Sequence, residues 1–517
     1  MSASLPPPPA PPRFRGAFRA DAAALRQHAT AAGPFWIEPT AVAVPEDADD
    51  VQALVEWAAA ESVALIPRGA ATGMPGGNVG RGVAIDLAAG LGDIGEPDPD
   101  ALTLRCGAGA NAAAVARAAA CVGLALPPLP SSADRCTIGG MVANNAAGAR
   151  SFRHGATREW IEALDVVWSD GSRARLDAAP PPWARTLARD LTAEVGSARD
   201  RDWPRVRKNS SGYALDRFLP GADTRQLIAG SEGTLCVVVG VTLRLTPHPP
   251  ERGVFLVGLP SIDLIPAAAA VAATVGASAC ELFGRRLVQM AALAGSELPD
   301  VAHDAEALVL IEVEGTADRV GHRLTALRAW AGALGLAAVA STDEEGRARL
   351  WEVRHAASPL IAQAADRGRR STQFIEDSVV PVDAVPAYLR GLDEILGRAH
   401  TDAVVFGHAG DGNIHVNPLV EVGTPGWRAR VRTILEETVD LVAGLGGTLS
   451  GEHGDGRVRA PYLDRIWSPP LAAAFRAVKR HLDPEGIMNP GVIIPLPGQD
   501  PLDGLWAGIP EGGVPAS

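Results

Sequence analysis

No two of the five cysteines (Cys106, Cys121, Cys136, Cys236 and Cys280) stand in a C-x-x-C spacing. That leaves no cysteine-held iron–sulfur cluster or zinc site to read. Scattered, odd-numbered cysteines in a long chain fit free thiols in a reducing compartment. No apolar run reaches the ~18 residues of a membrane span. The start, MSASLPPPPAPPRFRG, lacks the apolar core of a signal peptide and reads as a proline-rich, disordered tail, the first part of a disordered N-terminal extension over residues 1–34 in which Asp21–Ala32 looks like a short helix. The expected location is the cytoplasm, with attachment at the periphery of the inner membrane as the alternative. Positive charge is also short. Lys and Arg number 47 against 60 Asp and Glu, a net charge of −13, which argues against nucleic acid as a partner.

At 517 residues, 47% hydrophobic and 21% charged, the chain is globular and long enough for two or three domains. Its most distinctive stretch is PPLPSSADRCTIGGMVANNAAGARSFRHG, residues 127–155. It carries no apolar stripe for an amphipathic helix. Gly139, Gly140 and Gly148 remove side chains where a ligand can approach, and Ser131, Ser132, Thr137, Asn144 and Asn145 supply short hydrogen-bonding groups. Two further loops share this character. PRGAATGMPGGN at 67–78 follows the buried strand Val63–Ile66, so its backbone N–H groups can form an array for phosphate oxygens. It is neither G-x-x-x-x-G-K-[ST] nor a clean G-x-G-x-x-G, because Pro75 would break the helix that motif opens. The third loop runs from KNSSGY at 208–213 to LIAGSEGTL at 227–235. Together the three predict a cradle for a large ligand with phosphates and a flat polar ring. The alternative is a set of plain glycine-rich surface loops.

Residues 251–450 alternate strands such as Ala307–Glu314 with helices such as Ala317–Leu336. That pattern predicts an antiparallel sheet covered by helices on one face. Within it, VVFGH at 404–408 and NIHVN at 413–417 read as two strands joined at Asp411-Gly412, a strong two-residue hairpin signal. A turn there puts His408 directly opposite His415, which suits two imidazoles on one metal ion. Two ordinary polar strand residues are the alternative. GGTLSGEHGDG at 446–456 offers Glu452 as a third ligand, giving a His2Glu set with open positions. The adjacent His453 then faces another part of the pocket and is a candidate general base, or else an orienting residue.

PRGAATGMPGGN, PLPSSADRCTIGGMVANNAAG and GSEGTL resemble the FAD-binding domain of the vanillyl-alcohol-oxidase type flavoproteins. VFGHAGDGNIHVNP, GGTLSGEHGDG and LDPEGIMNPG resemble the FAD-linked 2-hydroxy-acid dehydrogenases, which include D-lactate, glycolate and D-2-hydroxyglutarate dehydrogenases. The motifs run in family order over residues 35–495. The fold implied is α+β: an FAD-binding domain (35–250), an α/β cap with an antiparallel sheet (251–450), a segment returning to complete the active site (451–497) and a tail (498–517). The resemblance implies FAD with its pyrophosphate on Arg68, Gly69, Ala70, Thr72, Gly73, Gly77 and Asn78. Its ring would rest against Pro130, Ser132, Thr137, Gly139, Gly140, Asn144, Asn145, Gly148, Glu232 and Gly233, with Asn489 as the closing contact. The first loop has no histidine, so FAD is expected to be non-covalent. The resemblance also supports His408, His415 and Glu452 on a divalent metal, expected to be zinc, with His453 as base.

Arg354 matches the arginine that binds the substrate carboxylate, with Ser358 one helical turn on and Asn417 completing the substrate set. Relatives acting on D-2-hydroxyglutarate carry a lysine where Ile375 stands. Either Arg369 and Arg370 replace it, or the substrate is a monocarboxylate. The expected reaction is oxidation of a D-2-hydroxy acid to the 2-oxo acid, with hydride passing to the flavin. Electrons would leave to a separate acceptor: a quinone, an electron-transfer flavoprotein, a cytochrome or an iron–sulfur protein. A homodimer is among the expected assemblies. The rival readings are an FAD-dependent oxidase using oxygen on a related alcohol and a non-redox, metal-dependent hydrolase.

Overall fold

The computed structural model describes residues 8–294, 299–302, 304–364 and 369–506. Among these residues the longer strands fall into three sheets that follow the chain. The first has the order Ala17–Arg19, Ala41–Val44, Val83–Asp86, Leu65–Arg68, the last three strands being parallel. Helix Ala48–Glu61 makes the crossover. Asp47 caps it by accepting from the N–H groups of Asp49 and Asp50, and Val51, Leu54, Val55 and Ala58 bury its inner face. The region expected to be a disordered extension is ordered in its described part. Ala17–Arg19 pairs with Ala41–Val44, and Arg15 bonds the buried Asp50 (3.0 Å). Residues 1–7 lie outside the described residues.

The second sheet is antiparallel: Thr103–Gly107, Cys236–Arg244, Ile161–Trp168, Arg173–Leu176. Its last two strands form a hairpin whose turn carries Gly171 at φ +83°. The glycine-rich 127–155 stretch, expected to form no good amphipathic helix, contains the short helix Ile138–Asn144. Thr137 caps its start, Asn145 ends it in the left-handed region, and Ile138, Met141 and Val142 are buried. Two good caps and three buried apolar residues outweigh the poor helix propensity of its glycines.

The third sheet spans residues 251–420, with antiparallel neighbours throughout. Its strands are buried on both faces. Val254 and Leu256 pack with Leu287, Leu350 and Val353, while Phe255 and Val257 pack with Ile265, Leu324 and Leu327. Helices therefore cover both sides, not one as expected, which explains the unbroken apolar runs VFLVGL and ALVLI. The C-terminal residues then return to the first sheet. Leu65 N–H donates to Ile487 O and Asn489 N–H to Leu65 O, each 2.8 Å. Among the described residues no helix is long and apolar enough to cross a membrane.

Candidate active site

A cavity runs along the three glycine-rich loops and ends at Arg354, His408, Glu452 and His453. Sixteen of the eighteen residues expected to hold FAD line it: Arg68, Gly69, Ala70, Thr72, Gly73, Gly77, Asn78, Pro130, Ser132, Thr137, Gly139, Gly140, Asn144, Gly148, Glu232 and Gly233. Asn145 and Asn489 do not. Both are buried behind the wall, Asn145 accepting from Arg158 N–H and Asn489 donating to the carbonyls of Gly77 (2.7 Å) and Glu232 (2.8 Å). Arg68 lines the cavity, but its guanidinium bonds the carbonyls of His28, Thr30 and Asn78, so it shapes the loop. The glycines also act differently from expectation. A Cβ on Gly139 would strike Ala108, and one on Gly148 the Leu129 carbonyl, so these are contacts between protein segments. Gly140 alone of the three meets nothing but the Thr137 hydroxyl, at 3.1 Å. Asn78 lines the cavity, and its Oδ1 is buried without a hydrogen-bond partner among the described residues.

Beyond the loops, the sheet of the second unit supplies a compact donor set. The hairpin turns through Ala409–Asp411 and Gly412, so His408 faces Asn413 and His415 faces Phe406. The expected register, His408 opposite His415, is therefore wrong by two residues. Side chains alternate with period two, so both imidazoles keep the same face and meet diagonally. His408 Nε2 lies 3.3 Å from His415 Nε2. Glu452 Oε1 lies 3.0 Å from the first and 3.2 Å from the second. A tetrahedral site with arms of roughly 2.0–2.1 Å has edges of about 3.3–3.4 Å, close to this triangle. The outer ring nitrogens are fixed: His408 Nδ1 sits 2.6 Å from Glu281 Oε1 and His415 Nδ1 2.9 Å from the Glu376 carbonyl. Protons held there leave both Nε2 lone pairs aimed at the Glu452 oxygen, an arrangement suited to a cation. Lys208 bonds the other Glu452 oxygen at 2.8 Å. Burial alone would raise the Glu452 pKa, but Lys208 foremost holds it well below the usual range.

Asp377, His415, Glu452 and His453 also offer ligand atoms within 4.8 Å of one another. Asp377 is already committed. Its Oδ2 accepts from the Ser450 hydroxyl (2.7 Å) and the N–H groups of Gly451 (2.9 Å), Glu452 (3.0 Å) and His453 (2.8 Å). Its Oδ1 accepts from Asn413 Nδ2 at 2.9 Å. Asp377 thus shapes the segment that presents Glu452 and His453. His453 Nδ1 lies 3.4 Å from Glu376 Oε1, and Arg459 is ion-paired with the same Glu376. Burial lowers the His453 pKa, yet Asp377 and Glu376 more than offset this and raise it. The Asn144 amide donates to the His453 carbonyl at 2.6 Å, joining the cradle to this segment.

A further cavity of about 280 Å3 opens beside His453 and is lined by Arg354, Arg370, Asn417, His415, Glu452 and Glu376 among others. Arg354 stacks on the Phe406 ring (4.6 Å) and gives its Nε to Glu281 Oε2 (3.2 Å). Asn417 accepts from the Ser371 hydroxyl at 3.2 Å. Arg369 pairs with Asp402 (2.9 Å), away from this cavity. Among the described residues no carboxylate pairs with Arg370. The side chain of Ser358 lies outside the described residues.

Sequence reasoning missed Glu281, Glu376, Asp377 and Lys208, all buried. The available signal was a charged residue inside an apolar run, as in ACELF and QFIEDSVV, since a buried charge needs a partner. Lys208 is one of only two lysines in the chain.

Burial, with Asp455 adding to it, pushes the Glu232 pKa up to about 8. The folded state therefore holds a proton that the unfolded state has already released. Stability is expected to fall as pH rises from the ordinary carboxylate range to about 8. Glu232→Gln should flatten that profile in denaturant unfolding from pH 5 to pH 8 (about the span of the shift), and parallel profiles would remove the assignment.

Residues 39–177 match the model of the FAD binding domain, and residues 248–493 that of the FAD linked oxidases, C-terminal domain. A D-2-hydroxyglutarate dehydrogenase of Xanthomonas citri is 33% identical over 468 residues, 88% of this chain and 89% of the relative. A D-lactate dehydrogenase of Archaeoglobus fulgidus is 28% identical over 467 residues, 89% of this chain and 93% of the relative. In fold, the 4-ethylphenol oxidase of Gulosibacter chungangensis superposes with a TM-score of 0.69 at 16% identity, covering 92% of this chain and 94% of that one. The architecture is the vanillyl-alcohol-oxidase type, as expected. The chain belongs to the FAD-linked oxidases and is an oxidoreductase.

Proposed function

We propose that this protein oxidises a D-2-hydroxy acid to the 2-oxo acid, using non-covalently bound FAD and a divalent metal, with zinc favoured. One observation carries the reading. Arg354, Glu452 and His453 line both the long cradle cavity and the smaller cavity beside it, so anion binder, metal ligand and base meet where the two cavities join. Relatives named for D-2-hydroxyglutarate and D-lactate support the substrate class. FAD, held by the cradle loops, would supply the two-electron acceptor for the substrate hydride. A cation on His408, His415 and Glu452 would supply positive charge beside the substrate hydroxyl.

The chain's own residues do the rest. The Arg354 guanidinium, held flat over Phe406 with its Nε on Glu281, presents its remaining N–H groups to the substrate carboxylate. In its neutral form His453 keeps its Nδ1 proton, directed at the ionised Glu376 carboxylate, so that the Nε2 lone pair takes the substrate hydroxyl proton. Anaerobic addition of D-2-hydroxy acids should bleach the flavin absorbance, and denaturation should release all yellow colour from the chain. Chelation with dipicolinate should cut the bleaching rate by at least about tenfold while sparing the flavin spectrum. Unchanged bleaching after verified metal removal would end the metal assignment, and no bleaching by any hydroxy acid would end the substrate reading.

Arg370 favours a substrate with a second carboxylate over a monocarboxylate, since among the described residues it has no anionic partner and faces the cavity. Arg370→Met is expected to lower kcat/KM for 2-hydroxyglutarate about 10–100-fold, and for lactate by less than about threefold. Equal losses on the two acids would return the monocarboxylate reading.

A further inference from the structure

Across the 127–150 stretch from the flavin cradle lies another cavity, of about 360 Å3. Leu126 and Leu129 belong to its apolar wall, and Arg150, Arg153 and His154 line it from the same part of the chain. Arg252 and Glu314 close it from the eight-stranded sheet.

Arginine outnumbers carboxylate at this seam. Arg150 is bidentate on Glu312, at 2.7 and 3.0 Å. Glu314 bonds His154 at 2.7 Å, and Arg153 and Arg252 approach it only to 3.7 and 3.8 Å. Two more guanidinium groups crowd in, Arg323 on the Glu314 carbonyl (2.6 Å) and Arg347 on the Arg252 carbonyl (3.0 Å). The short pairs explain Arg150 and His154: they tie the two units together. They leave Arg153, whose Nη1 reaches the Gly276 carbonyl at 3.4 Å, and Arg252 without a close carboxylate. Among the described residues Arg252 Nε is buried with no hydrogen-bond partner, and Glu314 Oε2 comes no nearer than 3.8 Å, so this guanidinium is poorly compensated by the protein's own groups. Burial, and then Arg150 beside it, lower the Arg252 pKa, as cation crowding does.

We propose that this seam cavity is a second ligand site, binding a small organic oxyanion between Arg153 and Arg252 with its apolar part against Leu126 and Leu129. The same chain segment serves both cavities: Leu129 and Arg150 face the seam, while Pro130 and Ala149 line the cradle. A ligand here thus presses on the wall of the flavin site and is placed to modulate it.

The holoenzyme should be titrated with inorganic phosphate and, separately, with benzoate, at constant ionic strength, following the thermal midpoint. A saturable rise with at least one probe is expected, and the tighter probe identifies the head group as phosphate or carboxylate. Arg153→Gln and Arg252→Gln should each raise the half-saturating concentration at least tenfold, and Arg354→Gln, in the other cavity, should leave it unchanged. Arg153 is the more exposed of the pair, so its variant keeps the test open if Arg252→Gln does not fold. A response that saturates with neither probe, or one that survives both substitutions, overturns the site.

Discussion

His453→Ala is expected to leave the protein yellow and to slow flavin reduction by substrate about 10²–10⁴-fold, the usual contribution of a positioned general base. The flavin should stay because the His453 imidazole is not what holds the cradle loop. Asn144 bonds the backbone carbonyl of that residue, which alanine retains. The metal ligands should stay because Asp377 grips the 450–453 segment through backbone N–H groups and the Ser450 hydroxyl. What alanine removes is the ring stacked on His415 at 5.2 Å and its contact with Glu376. Stopped-flow measurement at 450 nm (about the flavin maximum, where reduction of the cofactor is read) separates flavin content from reduction rate. Fast reduction by the variant would move His453 from base to orienting residue.

Asp377→Asn is expected to damage both metal site and base at once. The native carboxylate accepts from four donors on one oxygen and from Asn413 on the other. An amide cannot do this in either orientation: its NH2 must face the four donors or the NH2 of Asn413. Buried hydrogen bonds to a charged group contribute about 1.5–3 kcal/mol each, so a loss of about 3–5 kcal/mol in unfolding free energy is expected, even with partial relaxation. Burial by itself would raise the Asp377 pKa, and His453 and Arg459 hold it far below the usual range, so the group is ionised wherever the protein is folded at neutral pH. Denaturant unfolding and metal content measured together are the check. A variant of native stability that retains its metal would show that the segment is held by something other than Asp377.

Local features were readable in the chain and distant pairings were not. His408, His415 and Glu452 could be grouped because a strand alternates with period two, so an error of two residues in the turn preserved the face on which both imidazoles sit. An error of one residue would have separated them. The helix at Ile138–Asn144 was lost to composition, since its caps and three buried side chains count for more than its glycines. Glu281 stands 127 residues from His408, and Asp377 stands 75 from Glu452. No spacing rule reaches so far, and only the buried setting of these acids marks them. The cradle glycines Gly139, Gly140 and Gly148 line the cavity, but not all for the reason read from the chain. Of these three, Gly139 and Gly148 yield space to neighbouring protein segments.

Glu281 joins two tasks through one carboxylate, with one oxygen on His408 Nδ1 and the other on Arg354 Nε. On the proposed roles, the first fixes an imidazole that faces the metal and the second a guanidinium that faces the substrate. Anything that orders one partner reduces the freedom of the other. Thermodynamic reciprocity then requires that metal strengthen substrate binding by the same factor by which substrate strengthens metal binding. The pocket so built behaves as a single cooperative unit, filled together or held loosely together.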